Sequence, residues 1–183
     1  VAALSPVSAA LNKLGIRHYV GGSVASSFHG ASRSTMDVDL VAEMADRHVA
    51  EFLKCFGKDF YLSETAIRGA IRSKSCFNMI HLPTSFKVDV FVSRQRPFDA
   101  NALNRAKIEQ LGDSRVLEIH IATPEDSIIS KLEWYRQTNE TSERQWNDVT
   151  RLLKLLGDSA DMKYLQIGRA PRLNSSHIPL SRM

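Results

Sequence analysis

Cysteine is scarce in this 183-residue chain, which contains only Cys55 and Cys76. The two residues lie far apart, form no C-x-x-C pair and stand beside no histidine cluster. This pattern argues against both a zinc site and a disulfide framework. Two isolated thiols suit a reducing cytoplasm, which is the location that we expect.

Long apolar runs are also missing. No window approaches the roughly 18 consecutive apolar residues of a membrane-spanning helix, and the N-terminus lacks the basic and apolar regions of a signal peptide. We therefore expect a soluble, unexported protein with no membrane partner.

An excess of positive charge is confined to the C-terminal segment. The net charge is +4, but residues 166–183 carry three arginines and no acid, so the preceding part holds 21 basic and 20 acidic side chains. This near-neutral body gives little support for nucleic-acid binding. The segment 166–183 has no apolar period, so we expect a disordered tail or one of non-native origin.

The apolar pattern of residues 1–165 predicts one α/β domain, since 43% hydrophobic content at this length suffices for a single core. The predicted catalytic core covers about 16–122 and the C-terminal helices about 123–157. Strands are predicted at 16–20, 37–42, 59–62, 76–82, 86–92 and 115–121, and helices at 5–14, 23–29, 45–56, 64–71, 99–111, 124–136 and 142–156.

Two aspartates separated by one residue end the stretch VGGSVASSFHGASRSTMDVDLV, Val20 to Val41. In an extended chain, side chains alternate between faces. One face then carries four polar side chains and the other carries apolar ones: Arg33, Thr35, Asp37 and Asp39 against Met36, Val38 and Leu40. Two neighbouring carboxylates are costly unless a cation compensates them, and a divalent metal ion is the natural candidate.

The strand FKVDVFV repeats this alternation, with Val88 and Val90 turned to the core and Lys87 and Asp89 on the other face. Asp89 is therefore a candidate third carboxylate. Hard oxygen ligands suit Mg²⁺ or Mn²⁺, which take further ligands from water and substrate phosphates.

A phosphate cradle is predicted at Gly21, Gly22 and Ser23. Glycine allows a phosphate to approach the backbone closely, and N–H groups at the start of the next helix attract an anion.

Together, Gly-Gly-Ser, thirteen intervening residues, Asp-Val-Asp-Leu and a later Val-Asp-Val strand resemble the nucleotidyltransferase superfamily with a DNA polymerase β-like core. The resemblance covers about Ile16 to Leu156. The stretches HGASRSTMDVDLV and TPEDSIISKLEWYR are most similar to bacterial stand-alone minimal nucleotidyltransferases, including abortive-infection and toxin–antitoxin transferases. It implies the nucleotidyltransferase fold, a mixed and mainly antiparallel sheet flanked by helices, with a C-terminal helical pair.

The resemblance also implies a reaction. A nucleoside monophosphate would pass from a nucleoside triphosphate to an acceptor, with release of pyrophosphate. Two Mg²⁺ or Mn²⁺ ions would be held with the bound triphosphate, and the acceptor would be tRNA or other RNA, a protein or a small-molecule hydroxyl. The implied site residues are, for metal and catalysis, Asp37, Asp39 and Asp89, and, for nucleotide or phosphate, Gly21, Gly22, Ser23, Arg33, Thr35 and Lys131.

Alternatives stay open at this point. The aspartates could line a solvated strand face, and Arg33 could merely neutralise them. Lys131 could pair with Glu133 or Asp126, or extend its ammonium to water. As a whole, the protein could be a non-catalytic antitoxin or scaffold with a cognate toxin or antitoxin partner. It could also be an antibiotic-modifying nucleotidyltransferase.

Overall fold

A computed structural model describes residues 2–31, 37–111 and 117–169. By its internal contacts the chain divides into two units. Among the described residues, the first unit contains 2–24, 37–111 and 117–122, and the second contains 25–31 and 123–169.

The described residues form eight α-helices and seven strands. The helices are α1 (Leu4–Lys13), α2 (Gly22–Phe28), α3 (Val49–Lys54), α4 (Glu64–Ser73), α5 (Pro97–Arg105), α6 (Pro124–Gln137), α7 (Glu143–Leu156) and α8 (Met162–Arg169). The strands are β1 (His18–Val20), β2 (Asp37–Ala42), β3 (Phe60–Tyr61), β4 (Cys76–His81), β5 (Phe86–Val92), β6 (Lys107–Leu111) and β7 (Leu117–Ile121). Short 3₁₀ helices cover Asp46–His48 and Gly157–Ser159.

All seven of these strands belong to one sheet in the first unit, in the order β3-β4-β5-β2-β1-β7-β6. Strand β2 pairs with β5 in parallel, and β1 pairs with β7 in parallel. The other four pairings are antiparallel. The prediction of a mixed, mainly antiparallel sheet is therefore confirmed.

The predicted hairpin is present between β4 and β5. Phe86 pairs with His81, and Ser85 closes the turn with a positive φ of 54°. Burial alternates along β2 as predicted, with Val38 and Leu40 4% and 0% exposed and the intervening Asp39 more exposed. One face of β2 thus packs in the core while the other presents the aspartates.

The second unit has a separate apolar core. Its buried residues are Ala31, Ile128, Val149 and Leu152, and Leu165 of α8 packs against them. This core is built from the apolar stripe that predicted α7.

The predicted helix at 99–111 is wrong in its second half. Helix α5 ends at Arg105, and Lys107–Leu111 forms β6, which pairs antiparallel with β7. The run KIEQL alternates weakly enough to fit either period, and pairing with β7 decides its conformation.

The predicted tail begins too early. Helix α8 continues to Arg169, because Tyr164 donates a 2.6 Å hydrogen bond to Asp126 and Leu165 contacts the apolar core. The rest of the predicted tail, residues 170–183, lies outside the described residues.

Among the described residues, no helix is both long enough and apolar enough to cross a membrane.

Candidate active site

Four residues of the first unit lie in a row across the sheet. Asn78 of β4 pairs with Asp89 of β5, and Asp89 pairs with Asp39 of β2. On the far side of Asp39, the Gly21 N–H donates a 2.9 Å hydrogen bond to the Asp39 carbonyl. The parallel register of β2 and β5 therefore makes neighbours of two carboxylates that are remote in sequence.

Gly22 lies directly against the Asp39 side chain. A Cβ atom added at Gly22 would overlap the Asp39 carboxylate and would come within 2.8 Å of the Asp39 Cβ. Gly22 also has a φ of +57°, a conformation in which only glycine is unstrained. Both steric contact and backbone conformation thus require glycine where the predicted cradle meets the predicted metal ligands.

The Asp89 carboxylate is held from two sides. Asn78 Nδ2 donates a 3.2 Å hydrogen bond to Asp89 Oδ1, and Lys87 Nζ lies 2.7 Å from Asp89 Oδ2. The Asp89 side chain is only 12% exposed, whereas that of Lys87 is 42% exposed. The buried Asp89 carboxylate therefore has a fixed partner, Asn78, on the neighbouring strand β4 and a flexible partner, Lys87, on its own strand β5.

Lys87 lies between two of the predicted ligands. It pairs with Asp37 in the parallel register, and its ammonium contacts Asp89. The pKa of Lys87 is raised, chiefly by the hydrogen bond to Asp89 and further by attraction to Asp89 and Asp37. The sequence placed Lys87 on this face, but its role as a counter-charge was missed, although its position two residues before Asp89 on a strand is the signal for it.

Cys76 is the thiol next to this site. Burial, followed by the negative charges of Asp89 and Asp39, raises the pKa of Cys76 to about 12. The thiol is therefore protonated at neutral pH and is a poor nucleophile, because the thiolate is the reactive form.

The donor chemistry of this face fits a hard divalent cation. In the described part of the chain, no group of three or more His, Cys, Asp or Glu residues is already gathered as a metal site. Mg²⁺ does not need such a group, because it retains waters and binds substrate phosphates beside one or two carboxylates. Asp39 and Asp89 are adjacent and would supply those carboxylates. The metal-ligand role of Asp37, Asp39 and Asp89 stays a prediction.

Lys131 belongs to the second unit, where its ammonium lies 2.7 Å from Asp148 Oδ2. The two side chains are 7% and 5% exposed. The suggested pairing of Lys131 with Glu133 or Asp126 is wrong, because Asp148 of α7 faces it from the neighbouring helix. The sequence signal for this pairing was Asp148 itself, a charged residue beside the apolar stripe of α7. A contact from Lys131 to a nucleotide phosphate stays a prediction.

Of the remaining predicted residues, Ser23 is buried at 6% exposure near the start of α2. Arg33 and Thr35 lie outside the described residues, so their predicted contacts with triphosphate or acceptor stay predictions.

Comparison of the sequence with family models and with curated proteins gives no match. Comparison with solved structures does. An antigenic nucleotidyltransferase-like protein from Paracoccidioides brasiliensis is 19% identical, with a TM-score of 0.56 over 93% of this chain and 85% of that one. Two structures of the antibiotic-resistance factor ANT(2'')-Ia have TM-scores of 0.50. One, in solution, is 12% identical over 93% of this chain and 89% of that one. The other, a complex with adenylyl-2"-tobramycin, is 10% identical over 93% and 94%.

Each of these likenesses extends over 93% of this chain. The protein therefore has the nucleotidyltransferase fold.

Proposed function

We propose that this protein transfers a nucleoside monophosphate from a nucleoside triphosphate to an acceptor hydroxyl. The acceptor oxygen forms a bond to the α-phosphorus, the bond from that phosphorus to pyrophosphate breaks, and the acceptor loses its proton. The observation that carries this proposal is the adjacency of Asp39 and Asp89 with Gly22 packed against Asp39.

Each of these residues has a task in the proposed reaction. Asp37, Asp39 and Asp89 hold Mg²⁺ or Mn²⁺, which would neutralise the charge that develops on the phosphates. Gly21, Gly22 and Ser23 accommodate the phosphate chain beside Asp39, because glycine lets a phosphate approach the backbone and the N–H groups at the start of α2 attract an anion. A side chain at Gly22 would displace the Asp39 carboxylate. Asn78 and Lys87 hold Asp89 from the two sides.

The test is a label-transfer assay with each α-labelled nucleoside triphosphate and Mg²⁺. Total RNA, a protein extract and aminoglycosides serve as separate acceptors. We expect label in one acceptor pool, released pyrophosphate, and loss of both in Asp39→Asn and Asp89→Asn. Asp59→Asn is the matched control, since Asp59 is an exposed aspartate of the same unit outside the row.

A folded parent protein that transfers no label to any acceptor and binds no triphosphate would overturn the proposal. That result would instead favour the non-catalytic antitoxin or scaffold, and a binding assay with a cognate partner would follow.

One acceptor class has specific support. ANT(2'')-Ia is named as an antibiotic-resistance factor, and one of its structures contains adenylyl-2"-tobramycin. A small-molecule hydroxyl is therefore the first acceptor to test, and the aminoglycoside pool of the assay tests it directly. RNA, including tRNA, and protein acceptors are tested by the other two pools.

A further inference from the structure

Asp89 has two unequal oxygen atoms. Oδ1 accepts a hydrogen bond from Asn78, whereas Oδ2 contacts Lys87. Asn78 is a short side chain on the paired strand, directly opposite Asp89 in the antiparallel register. Cross-strand partners of this kind have their Cβ atoms about 5 Å apart, so the amide reaches Asp89 with little freedom to move.

Lys87 is a different kind of partner. Its side chain is long and 42% exposed, so it has rotamers available in which its ammonium faces water. A metal ion approaching Asp89 can therefore replace Lys87 at Oδ2 without disturbing the strand, while the hydrogen bond from Asn78 remains at Oδ1.

From this arrangement we infer that Asn78 is a positioning residue for the third carboxylate. It fixes the Asp89 carboxylate through Oδ1 and so presents Oδ2 to the cation. The amide serves this purpose because it donates a hydrogen bond and adds no charge, whereas a third acid in the row would repel Asp89 and a lysine would compete with the metal. This inference rests on the proposed function, since it needs a cation at Asp89.

Partners that orient a metal ligand from behind contribute measurably to metal affinity. Their removal typically weakens metal binding by about 10-fold to 100-fold. Asn78 is itself exposed, so its contribution to folding stability is small, as for most surface positions away from special features. A positioning role and a merely structural role therefore predict different measurements.

The experiment compares Asn78→Leu with Asn104→Leu. Both residues are exposed asparagines with one side-chain hydrogen bond to a charged group, but Asn104 accepts its bond from Arg17 and is not part of the row. Mn²⁺ is titrated by water-proton relaxation in the presence of inorganic tripolyphosphate, a probe that offers a phosphate chain without assuming a base. Thermal melts without metal accompany each titration.

We expect Asn78→Leu to raise the Kd for Mn²⁺ by about tenfold, with a melting temperature equal to that of the parent. Asn104→Leu should leave the Kd unchanged. Asn78→Gln keeps the amide donor and should recover part of the affinity. If Asn78→Leu does not fold, Asn78→Ala gives the same comparison, because alanine has no side-chain donor for Asp89.

The possible outcomes distinguish a failure of the Asn78 role from a failure of the proposed function. A parent that binds Mn²⁺, with an Asn78→Leu variant that binds it equally well, overturns the role of Asn78 and leaves the proposed function intact. A parent that binds no Mn²⁺ with tripolyphosphate overturns the proposed function, and the role of Asn78 falls with it.

Discussion

The two units of the chain arrange their buried charge in opposite ways. In the second unit, Lys131 and Asp148 form one buried ion pair, and Asp126 accepts 2.6 Å hydrogen bonds from Tyr164 and Thr123. In the first unit, β2 and β5 place three carboxylates and one lysine on the same sheet face. In the second unit the charged groups are matched to partners within the protein. In the first unit three carboxylates share a face with one lysine, which leaves negative charge that the proposed metal ion would compensate.

This difference distinguishes charged residues that stabilise the fold from charged residues that serve a functional site. A buried group with a full set of partners inside the protein serves the fold, and its loss should lower stability. In a cluster with excess charge of one sign, neutralising one member should raise the stability of the ligand-free protein, because it removes repulsion. The same substitution should abolish the function of the cluster.

The sharpest test of the comparison is Asp39→Asn in the first unit. Without metal, the variant should melt at the same temperature as the parent or higher, because it removes repulsion between Asp39 and Asp89. Nucleotidyl transfer should fall about a thousandfold or more, because metal-held charge stabilises the transition state. The melting shift that Mg²⁺ with a triphosphate gives the parent should largely disappear. An equal shift in both proteins would remove Asp39 from the site.

Lys131→Met should behave in the opposite way. It leaves the Asp148 charge buried without its partner, so unfolding free energy should fall by about 3–5 kcal/mol. Denaturant titration measures the loss. The double variant Lys131→Met with Asp148→Leu should recover most of it, because neither charge remains to be buried.

The same double variant tests whether Lys131 binds phosphate. If its stability returns and its transfer activity equals that of the parent, Lys131 acts only in the fold. If its stability returns and its Km for triphosphate rises, the predicted phosphate contact gains support.

Gly22→Ala sharpens the comparison within the first unit, with Gly15→Ala as its control. Both glycines have positive φ, at 57° and 64°, but an added Cβ meets nothing within 4 Å at Gly15 and overlaps Asp39 at Gly22. Gly15→Ala should cost only the backbone strain, about 1–2 kcal/mol, and should keep full activity. Gly22→Ala should cost more and should lose activity, since Asp39 must move. Equal effects of the two substitutions in melts and transfer assays would contradict the contact.

The smallest expected effect concerns His18, a buried group of the first unit outside the site. Its ring donates from Nδ1 to the Ile16 carbonyl at 2.9 Å and accepts at Nε2 from the Ser8 hydroxyl at 3.1 Å. Burial lowers the pKa of His18, and the nearby His120 lowers it further. The unfolded chain therefore binds a proton at a pH where the folded protein does not, so stability should fall as pH drops below about 6.5.

His18→Gln should flatten this dependence by at most about 1.4 kcal/mol per pH unit. Urea titrations of parent and variant between pH 5 and 7 measure it. His81→Gln, at a half-exposed position, provides the control. An unchanged slope in His18→Gln would show that His18 binds its proton equally well in the folded and the unfolded protein, which contradicts the lowered pKa.

Local patterns were sufficient for much of the first unit. Alternation in DVDLV and FKVDVFV identified β2 and β5 and the face that carries their aspartates, and the turn at Pro83 identified the hairpin. The register of that hairpin also placed Asn78 opposite Asp89 once the loop length was known. Asn78 was therefore within reach of sequence reasoning.

The parallel pairing of β2 with β5 could not be predicted from the sequence. Neither strand carries a local signal for its neighbour, because strand order depends on how the whole sheet packs. Asp148 was likewise not recognised as the partner of Lys131, because it lies 17 residues away on another helix. Strand β6 was mistaken for the end of a helix for a different reason: its partner β7 is the next strand, but KIEQL alternates too weakly to indicate a strand.

The parallel register of β2 and β5 also means that Asp39 and Asp89 become neighbours only when the sheet has paired correctly. The hairpin must dock beside β2 before Asp89 meets Asp39, and such non-local pairing forms late because it closes a long stretch of chain. A slip of one residue would turn Asp89 to the opposite face and bring Val88 or Val90 beside Asp39 instead. If the proposed divalent ion binds at Asp39 and Asp89, it would stabilise only the correctly paired sheet and not a compact but misaligned one.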